Sequence, residues 1–312
     1  MILCCGEALI DMIPEPLAMS SASGADGFVP HSGGAIFNTA IALGRLNAPV
    51  AMMTGLSNDL FGQQLYDDLA KSKVDTSYLV RQDRPTTLAF VQLTDGHASY
   101  QFYDENTAGR MLTVEDMPAV PDEVKALYFG GISLASEPCG DAYAGFLEQA
   151  PEDCLIMIDP NIRPSFIEDE DRYRARLAKM MSLATIVKTS DEDLLWLSGQ
   201  SVSLDQAIKD LLAAGPSVVI LTEGSKGATA YLQNGTQVRV AANKVDVVDT
   251  VGAGDTFNAG VLCMLSRLDH LSRAALNTAG TDVIEEALRF GAKVAAVTVS
   301  RAGANPPWAQ EL

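Results

Sequence analysis

Basic residues are scarce in this chain of 312: 22 Lys+Arg face 40 Asp+Glu, a formal charge of −18 at pH 7. No basic run relieves the deficit, which argues against a nucleic acid or an anionic membrane as partner. A local anion pocket stays open, because main-chain N–H groups hold phosphate as well as Lys or Arg does. Histidine is rarer still, with three in all. The cysteines (Cys4, Cys5, Cys139, Cys154 and Cys263) are odd in number and scattered, with no CxxC or CxxH spacing. That excludes a disulfide framework and a zinc-site pattern. Cys4 and Cys5 sit in an apolar run and read as buried. Long hydrophobic runs are also missing, and none approaches the ~20 residues of a membrane helix. The opening, residues 1–7, has no basic region and meets a charge at Glu7. No signal peptide is expected, and a cytoplasmic protein is.

What remains is globular: 47% hydrophobic and 20% charged residues. At ~150 residues per domain the length fits two domains or one large α/β unit. Short apolar runs at Ile2–Cys5, Val50–Thr54, Ala126–Phe129, Leu155–Ile158, Thr185–Val187 and Val218–Leu221 read as strands buried on both faces. Helical spacing fills the gaps at Phe37–Leu46, Phe61–Ser72, Asp141–Gln149, Asp171–Ser182 and Ser203–Ala213. The alternation predicts βαβ units around a mostly parallel sheet, with ligands along its C-terminal edge.

Two stretches depart from it. Residues 12–30 are rich in Pro, Ser, Gly and Ala. Residues 86–104 alternate, are rich in Thr and aromatics, and carry Asp95-Gly96 between two runs, a strong hairpin signal. Together they predict a small antiparallel flap, whose aromatic side would pack on a ligand or a second subunit.

The most informative stretch runs from Asp249 to Gly260, Asp-Thr-Val-Gly-Ala-Gly-Asp-Thr-Phe-Asn-Ala-Gly. An apolar strand over Val245, Val247 and Val248 is expected to lead in. Helical spacing follows at Phe257, Val261, Met264, Leu265 and Leu268. A small-residue turn thus opens a helix, where free N–H groups attract an anion. With the carboxylate of Asp255 in that turn, the arrangement suits phosphoryl transfer: the amides stabilise the moving phosphate and Asp255 accepts a hydroxyl proton. Taken alone, Asp255 could equally be a first-turn cap. No Walker A sequence occurs in the chain.

This stretch resembles the C-terminal signature of the ribokinase-like (PfkB) carbohydrate kinases. The family's N-terminal signature is similar to Gly33-Gly34-Ala35-Ile36-Phe37-Asn38-Thr39-Ala40, followed by Leu43-Gly44-Arg45-Leu46. The opening Gly6-Glu7-Ala8-Leu9-Ile10-Asp11 and Asp159-Pro160-Asn161-Ile162-Arg163-Pro164 resemble the fructokinase branch. The resemblance spans essentially the whole chain in consistent order. It implies one domain over residues 1–312, a three-layer α/β sandwich with a mostly parallel central sheet, and a lid inserted from about 12–30 and 86–104.

By the same resemblance Asp255 is the general base, and Gly252, Ala253 and Gly254 form the anion hole. Arg163 lies near the transferred phosphate, and Asp11, Gly33, Gly34, Asn38 and Phe102 hold the sugar. Lys188, Ser190, Thr222, Gly224, Gly227 and Ala292 serve the nucleotide, and Asp193 serves a metal through water. Simpler readings stand beside these. Asp11 could be a strand-end turn former, Asn38 a polar helix start, Arg163 a partner of the acidic run 168–171, and 222–227 a plain hairpin. The implied cofactors are ATP and Mg²⁺, with K⁺ a further candidate, and a homodimer through the flap is the implied assembly. Departures from the family pattern are Ser190-x-x-Asp193 for Asn-x-x-Glu, Ile36 for a small residue or Pro, and Asn47 and Ser57 for glycines.

A neutral ketose is the expected substrate, D-fructose phosphorylated at the 6-hydroxyl. Relatives that act on 2-keto-3-deoxygluconate place a cation after the flap strand, where this chain has Asp104 and Glu105, although Arg110 lies nearby. The stretch from Glu286 to Gly291 also resembles ketohexokinase, which uses the 1-hydroxyl. A nucleoside kinase and a non-catalytic binding protein are the remaining alternatives. The latter should have lost the base or the glycines, and this chain has both.

Overall fold

The computed structural model describes residues 1–16, 26–94, 97–199 and 202–312. Its first half runs β1 (Ile2–Cys5), β2 (Leu9–Pro16), β3 (Asp26–Gly33), α1 (Ala35–Arg45), β4 (Val50–Ser57), α2 (Leu60–Lys71), β5 (Leu79–Gln82), β6 (Leu88–Thr94), β7 (His97–Tyr103), β8 (Ala126–Gly130) and α3 (Cys139–Glu148). The second half continues with β9 (Leu155–Asp159), α4 (Glu170–Leu183), β10 (Ile186–Ser190), α5 (Asp191–Ser198), α6 (Leu204–Ala213), β11 (Val218–Thr222), β12 (Ala228–Leu232) and β13 (Gln237–Val240). Three helices close the chain: α7 (Ala253–Arg267), α8 (Arg273–Asn277) and α9 (Thr281–Val299).

Nine strands form the large sheet, in the order β13-β12-β11-β10-β9-β8-β1-β4-β5. Pairing is parallel from β11 through to β5, and β12 and β13 add an antiparallel edge. The short apolar runs behave as expected of doubly covered strands. In β1, Ile2 and Cys4 face one hydrophobic core with α1, α7 and α9, while Leu3 and Cys5 face the other with α3, α4 and α6. Side-chain alternation along a strand produces that split, and helices on both faces make it favourable. All five cysteines are buried and unpaired.

The second sheet has the order β3-β2-β6-β7. It consists of two antiparallel hairpins joined by a parallel seam, Ile10 to Met12 of β2 against Leu88 to Phe90 of β6. The Asp95-Gly96 turn and residues 17–25 lie outside the described residues. Leu9, Ala89 and Ile132 form a small core beneath this sheet, with Phe102 and Phe166 packed against it. Leu9 and Phe102 thereby reach the C-terminal edge of the large sheet.

One expected strand is absent. Residues 241–250 carry no strand, although Val245 and Val247 alternate in strand fashion and Val248 follows them. Instead the loop is tied to the end of α9, where Val248 N–H and Asp249 N–H both donate to the Val299 carbonyl at 2.8 and 3.2 Å. Val247 stays 64% exposed. Val245 and Val247 serve a cavity wall and not a sheet. No described helix is long and apolar enough to cross a membrane.

Candidate active site

Two cavities meet at the start of α7. The first, of 330 Å³, lies where the C-terminal ends of β1, β8 and β9 face the small sheet. Its walls include Glu7, Asp11, Asn38, Tyr100, Phe102, Asp159, Asn161, Arg163 and Lys188. The second, of 670 Å³, is lined by Thr222, Gly224 and Gly227 at the end of β11, by Val245 and Val247, and by Phe257, Ala292, Ala295, Ala296 and Val299. Thr250, Ala253 and Gly254 belong to both.

The shared wall is the turn read from the sequence. Gly252 is the N-cap of α7 in the left-handed region, φ 76°, and offers no side chain to cap the helix. A Cβ there would meet the Ala304 Cβ at 2.7 Å, so both shape and space require glycine. Ala253 N–H, the first of α7, donates to the Thr250 carbonyl at 3.3 Å, and the amides that follow it carry the positive end of the helix dipole toward the cavities, the character of an anion site.

Asp255 sits in the first turn of α7, buried, with its side chain on the first cavity. Asn38 Nδ2 donates to Asp255 Oδ2 at 2.9 Å, and Thr39 Oγ1 donates to its carbonyl at 3.0 Å. The carboxylate therefore points away from its own helix amides, unlike an N-cap. Burial pushes its pKa up to about 7, partly opposed by the Asn38 hydrogen bond. Burial likewise pushes Asp11 up to about 6.

Most predicted residues converge. Asp11, Gly34, Asn38, Phe102, Arg163, Gly252, Ala253, Gly254 and Asp255 line the first cavity, and Thr222, Gly224, Gly227 and Ala292 line the second. Arg163 is held by the carbonyls of Asn161 and Ile162 at 3.4 and 3.0 Å. The acidic run has other partners: Arg110 for Glu168, Arg174 for Glu170, and the Arg172 amide for Asp169.

Others are placed differently. Gly33 lines neither cavity; a Cβ there would lie 2.1 Å from Asp11 Oδ2, so its role is to leave room for Asp11. Lys188, expected on the nucleotide side, lines the first cavity and donates to Asp159 Oδ2 at 2.9 Å. Ser190 caps α5 by accepting from the Asp193 amide at 3.0 Å. Asp193 Oδ1 accepts from the Ile162 amide at 3.1 Å, a contact that steadies the loop carrying Arg163. Among the described residues no cluster of three His, Cys, Asp or Glu could cage a metal ion.

Asp104 and Glu105 also fall elsewhere. Asp104 is buried under the small sheet, accepting from Thr87 and Thr107 at 2.7 and 3.0 Å with Arg110 at 3.8 Å, and Glu105 is exposed. Neither faces the cavity, and Arg110 is held by Glu168 and the Glu137 carbonyl. The acidic groups that do face it are Glu7, Asp11, Asp159 and Asp255. Glu7 accepts from the Ala35 amide at 2.9 Å and from Ser133 Oγ at 3.0 Å, and burial raises its pKa. Glu7, Asp159 and Asn161 lie in the motifs quoted from the sequence but received no role there, and neither did Tyr100. The available signal was an acidic residue at or just after a buried strand in a parallel sheet.

A mostly parallel sheet whose C-terminal edge carries a carboxylate beside an open helix N-terminus, with a second cavity behind it, defines a phosphoryl-transfer class of site. The chain belongs to the pfkB family of carbohydrate kinases, whose model matches residues 1–311. A fructokinase from Rhizobium leguminosarum bv. trifolii is 47% identical over 291 residues, covering 93% of this chain and 86% of its own. The structure of a fructokinase with bound ATP from Xylella fastidiosa superposes with a TM-score of 0.87 at 30% identity, over 97% of this chain and 93% of that one. A fructokinase from Vibrio cholerae O395, in a form binding fructose, ADP and calcium, gives 0.83 at 27% identity over 97% and 94%.

Proposed function

We propose that this protein is a fructokinase that transfers the γ-phosphoryl group of ATP to the 6-hydroxyl of D-fructose. The observation that carries the reading is the buried Asp255 carboxylate beside the open start of α7, between a polar and an apolar cavity. Fructose occupies the polar cavity. Asp11 and Asn38 take its hydroxyls, Phe102 packs on its carbon face, and Gly34 lets it approach the main chain. The triphosphate crosses the shared wall from the apolar cavity, where Ala292 borders the base and Thr222, Gly224 and Gly227 follow the ribose and phosphates.

Asp255 accepts the hydroxyl proton as that oxygen forms its bond to the γ-phosphorus. The bond from phosphorus to the bridging oxygen breaks, and ADP leaves with the electron pair. The amides of Gly252, Ala253 and Gly254 and the guanidinium of Arg163 balance charge on the phosphoryl oxygens. Mg²⁺ fits as an ion carried by the triphosphate, with Asp193 at most a partner through water; when bound, it neutralises phosphate charge. K⁺ is a candidate activator, and assays with and without it decide that point.

The acidic lining of the polar cavity favours a neutral sugar, since Glu7 and Asp11 would repel a substrate carboxylate. This replaces the expectation that rested on Asp104 and Glu105. One domain carries the whole reaction, with β2, β3, β6 and β7 as its lid. The outer aromatic side of the lid, with Phe28 47% and Tyr103 54% exposed around Phe90, is the proposed homodimer face. Five buried free thiols suit the cytoplasm. The deciding experiment measures ADP release with ATP and Mg²⁺ across fructose, 2-keto-3-deoxygluconate, ribose and adenosine. Turnover with fructose and little with the keto acid supports the reading; preference for the keto acid overturns it.

A further inference from the structure

The start of α1 carries no cap of its own. Gly34, its N-cap, has φ 105° and no side chain, and none of the first-turn residues is acidic. The first N–H groups of a helix need acceptors, which Ser, Thr, Asp or Asn at the N-cap ordinarily supply. Here the acceptors come from just beyond β1. Glu7 Oε1 accepts from the Ala35 amide at 2.9 Å, and the Glu7 carbonyl accepts from the Phe37 amide at 3.3 Å. Glu7 Oε2 is held from the other side by the Ser133 amide at 3.4 Å and by Ser133 Oγ at 3.0 Å, a hydroxyl that also reaches the Gly130 carbonyl at 2.9 Å. Gly131 makes the room: a Cβ there would lie 2.1 Å from Glu7 Oε1, and its φ of 70° favours glycine as well. One turn into α1, Asn38 donates to Asp255 Oδ2 at 2.9 Å. The contacts therefore run from Ser133 through Glu7, Ala35 and Asn38 to Asp255, and Glu7 is the only charged group between the two ends.

We propose that Glu7 is a positioning residue: it caps α1 from a distance and thereby sets Asn38 against Asp255. The inference rests on the reading of Asp255 as the base and of Asn38 as a sugar ligand, and it requires no contact between Glu7 and the sugar. A capping side chain at position 34 would project where the sugar approaches the main chain, and a Cβ there would already lie 3.0 Å from the Glu7 carbonyl oxygen. Placing the cap on Glu7 satisfies the helix start and leaves the cavity wall bare at Gly34, which lines it. A carboxylate also suits the positive end of the helix dipole. Reach matters more than charge, because the contact that aligns α1 is one oxygen on one amide, and such a bond weakens steeply with poor geometry.

The test compares Glu7→Gln, which keeps an oxygen within reach of Ala35, with Glu7→Asp, which keeps the charge but is a methylene short. Asp255→Asn is measured alongside. For fructose, kcat/KM should fall at least about tenfold further in Glu7→Asp than in Glu7→Gln, with KM for ATP unmoved in both. A loss in Glu7→Gln as large as that in Glu7→Asp overturns the proposal, and so does an equal rise in KM for ATP, the mark of general loosening. On an Asn38→Ala background Glu7→Asp should add less than about twofold, and losses that multiply overturn the route through Asn38. Hydrogen exchange on the protein without ligand supplies a readout independent of turnover. The Ala35 amide should exchange about tenfold faster in Glu7→Asp than in Glu7→Gln. Gly62, capped on α2 by Asp59 at 2.7 Å, should exchange alike in both. Equal exchange at Ala35 overturns the cap. Glu7→Gln is isosteric, so its comparison with wild type stands even if Glu7→Asp does not fold: a tenfold faster Ala35 amide there overturns the cap as well. Should Asp255→Asn keep its turnover, the base assignment fails, and exchange at Ala35 still decides the role of Glu7.

Discussion

The two cavities solve opposite problems. The polar one encloses 330 Å³ and concentrates charge, with Glu7, Asp11, Asp159, Asp255, Arg163 and Lys188 all on its walls. The other is twice as large, with alanine and valine its commonest apolar lining residues and Thr222, Ser225, Asn243 and Lys244 as its polar rim. Chemistry needs groups held at fixed angles in a site cleared of water, and such groups are costly to bury. Holding a base and ribose needs area and shape, which small apolar side chains on a helix face provide cheaply. Substitutions should therefore be punished steeply on one side of α7 and mildly on the other.

The largest expected effect is Asp255→Asn. It should lower kcat by ~10²–10⁴-fold while calorimetry shows fructose and ADP still binding. The same change should raise the melting temperature above pH 7. Folded Asp255 has its pKa pushed up to about 7 by burial, so the folded protein holds that proton where the unfolded chain releases it. Its stabilising contribution is complete below the ordinary carboxylate range and is lost as pH rises through about 7. Between those two limits each further pH unit removes ~1.4 kcal/mol of it. Asparagine has no charge to bury, so the variant should gain at pH 8 and not at pH 4, as scanning calorimetry at both values would reveal.

Next comes Asp11→Asn, which should raise KM for fructose by ~10–100-fold through loss of charged hydrogen bonds to the sugar, with KM for ATP unmoved. A wild-type pH profile should show kcat/KM for fructose falling on the acid side, with limbs near the values of about 7 for Asp255 and about 6 for Asp11. Across the wall, Ala296→Leu should raise KM for ATP by roughly tenfold through overpacking and leave fructose affinity alone. Equal damage to both affinities would erase the contrast between the cavities. The smallest effect belongs to the lid: Tyr103→Asp should shift the protein from dimer to monomer in size-exclusion chromatography, with kcat within about twofold.

Legibility in the sequence follows the same division. Strands such as Leu155–Asp159 were readable because burial on both faces leaves an uninterrupted apolar run. The turn at 252–254 was readable because glycine there answers a backbone need. Val245 and Val247 misled, since alternation reports that side chains have two kinds of neighbour, and one of these was a cavity and not a sheet face. Glu7 and Asp159 went unassigned because one follows β1 and the other ends β9, more than a hundred residues apart, and only the parallel order β9-β8-β1 brings them to one edge. Asp104 was given a role from its place in the chain after β7. Its hydrogen bonds to Thr87 and Thr107 turn it under the lid, which no linear spacing reveals.

The wall common to both cavities is Thr250, Ala253 and Gly254, largely main chain at the head of a single helix. Donor and acceptor preferences can therefore drift apart over generations, since the side chains that set one are not those that set the other. The partition itself is nearly closed to such change, because its shape rests on a main chain that only glycine at 252 permits. A new sugar or a new nucleotide is thus a local revision, while the turn between the two cavities is inherited whole.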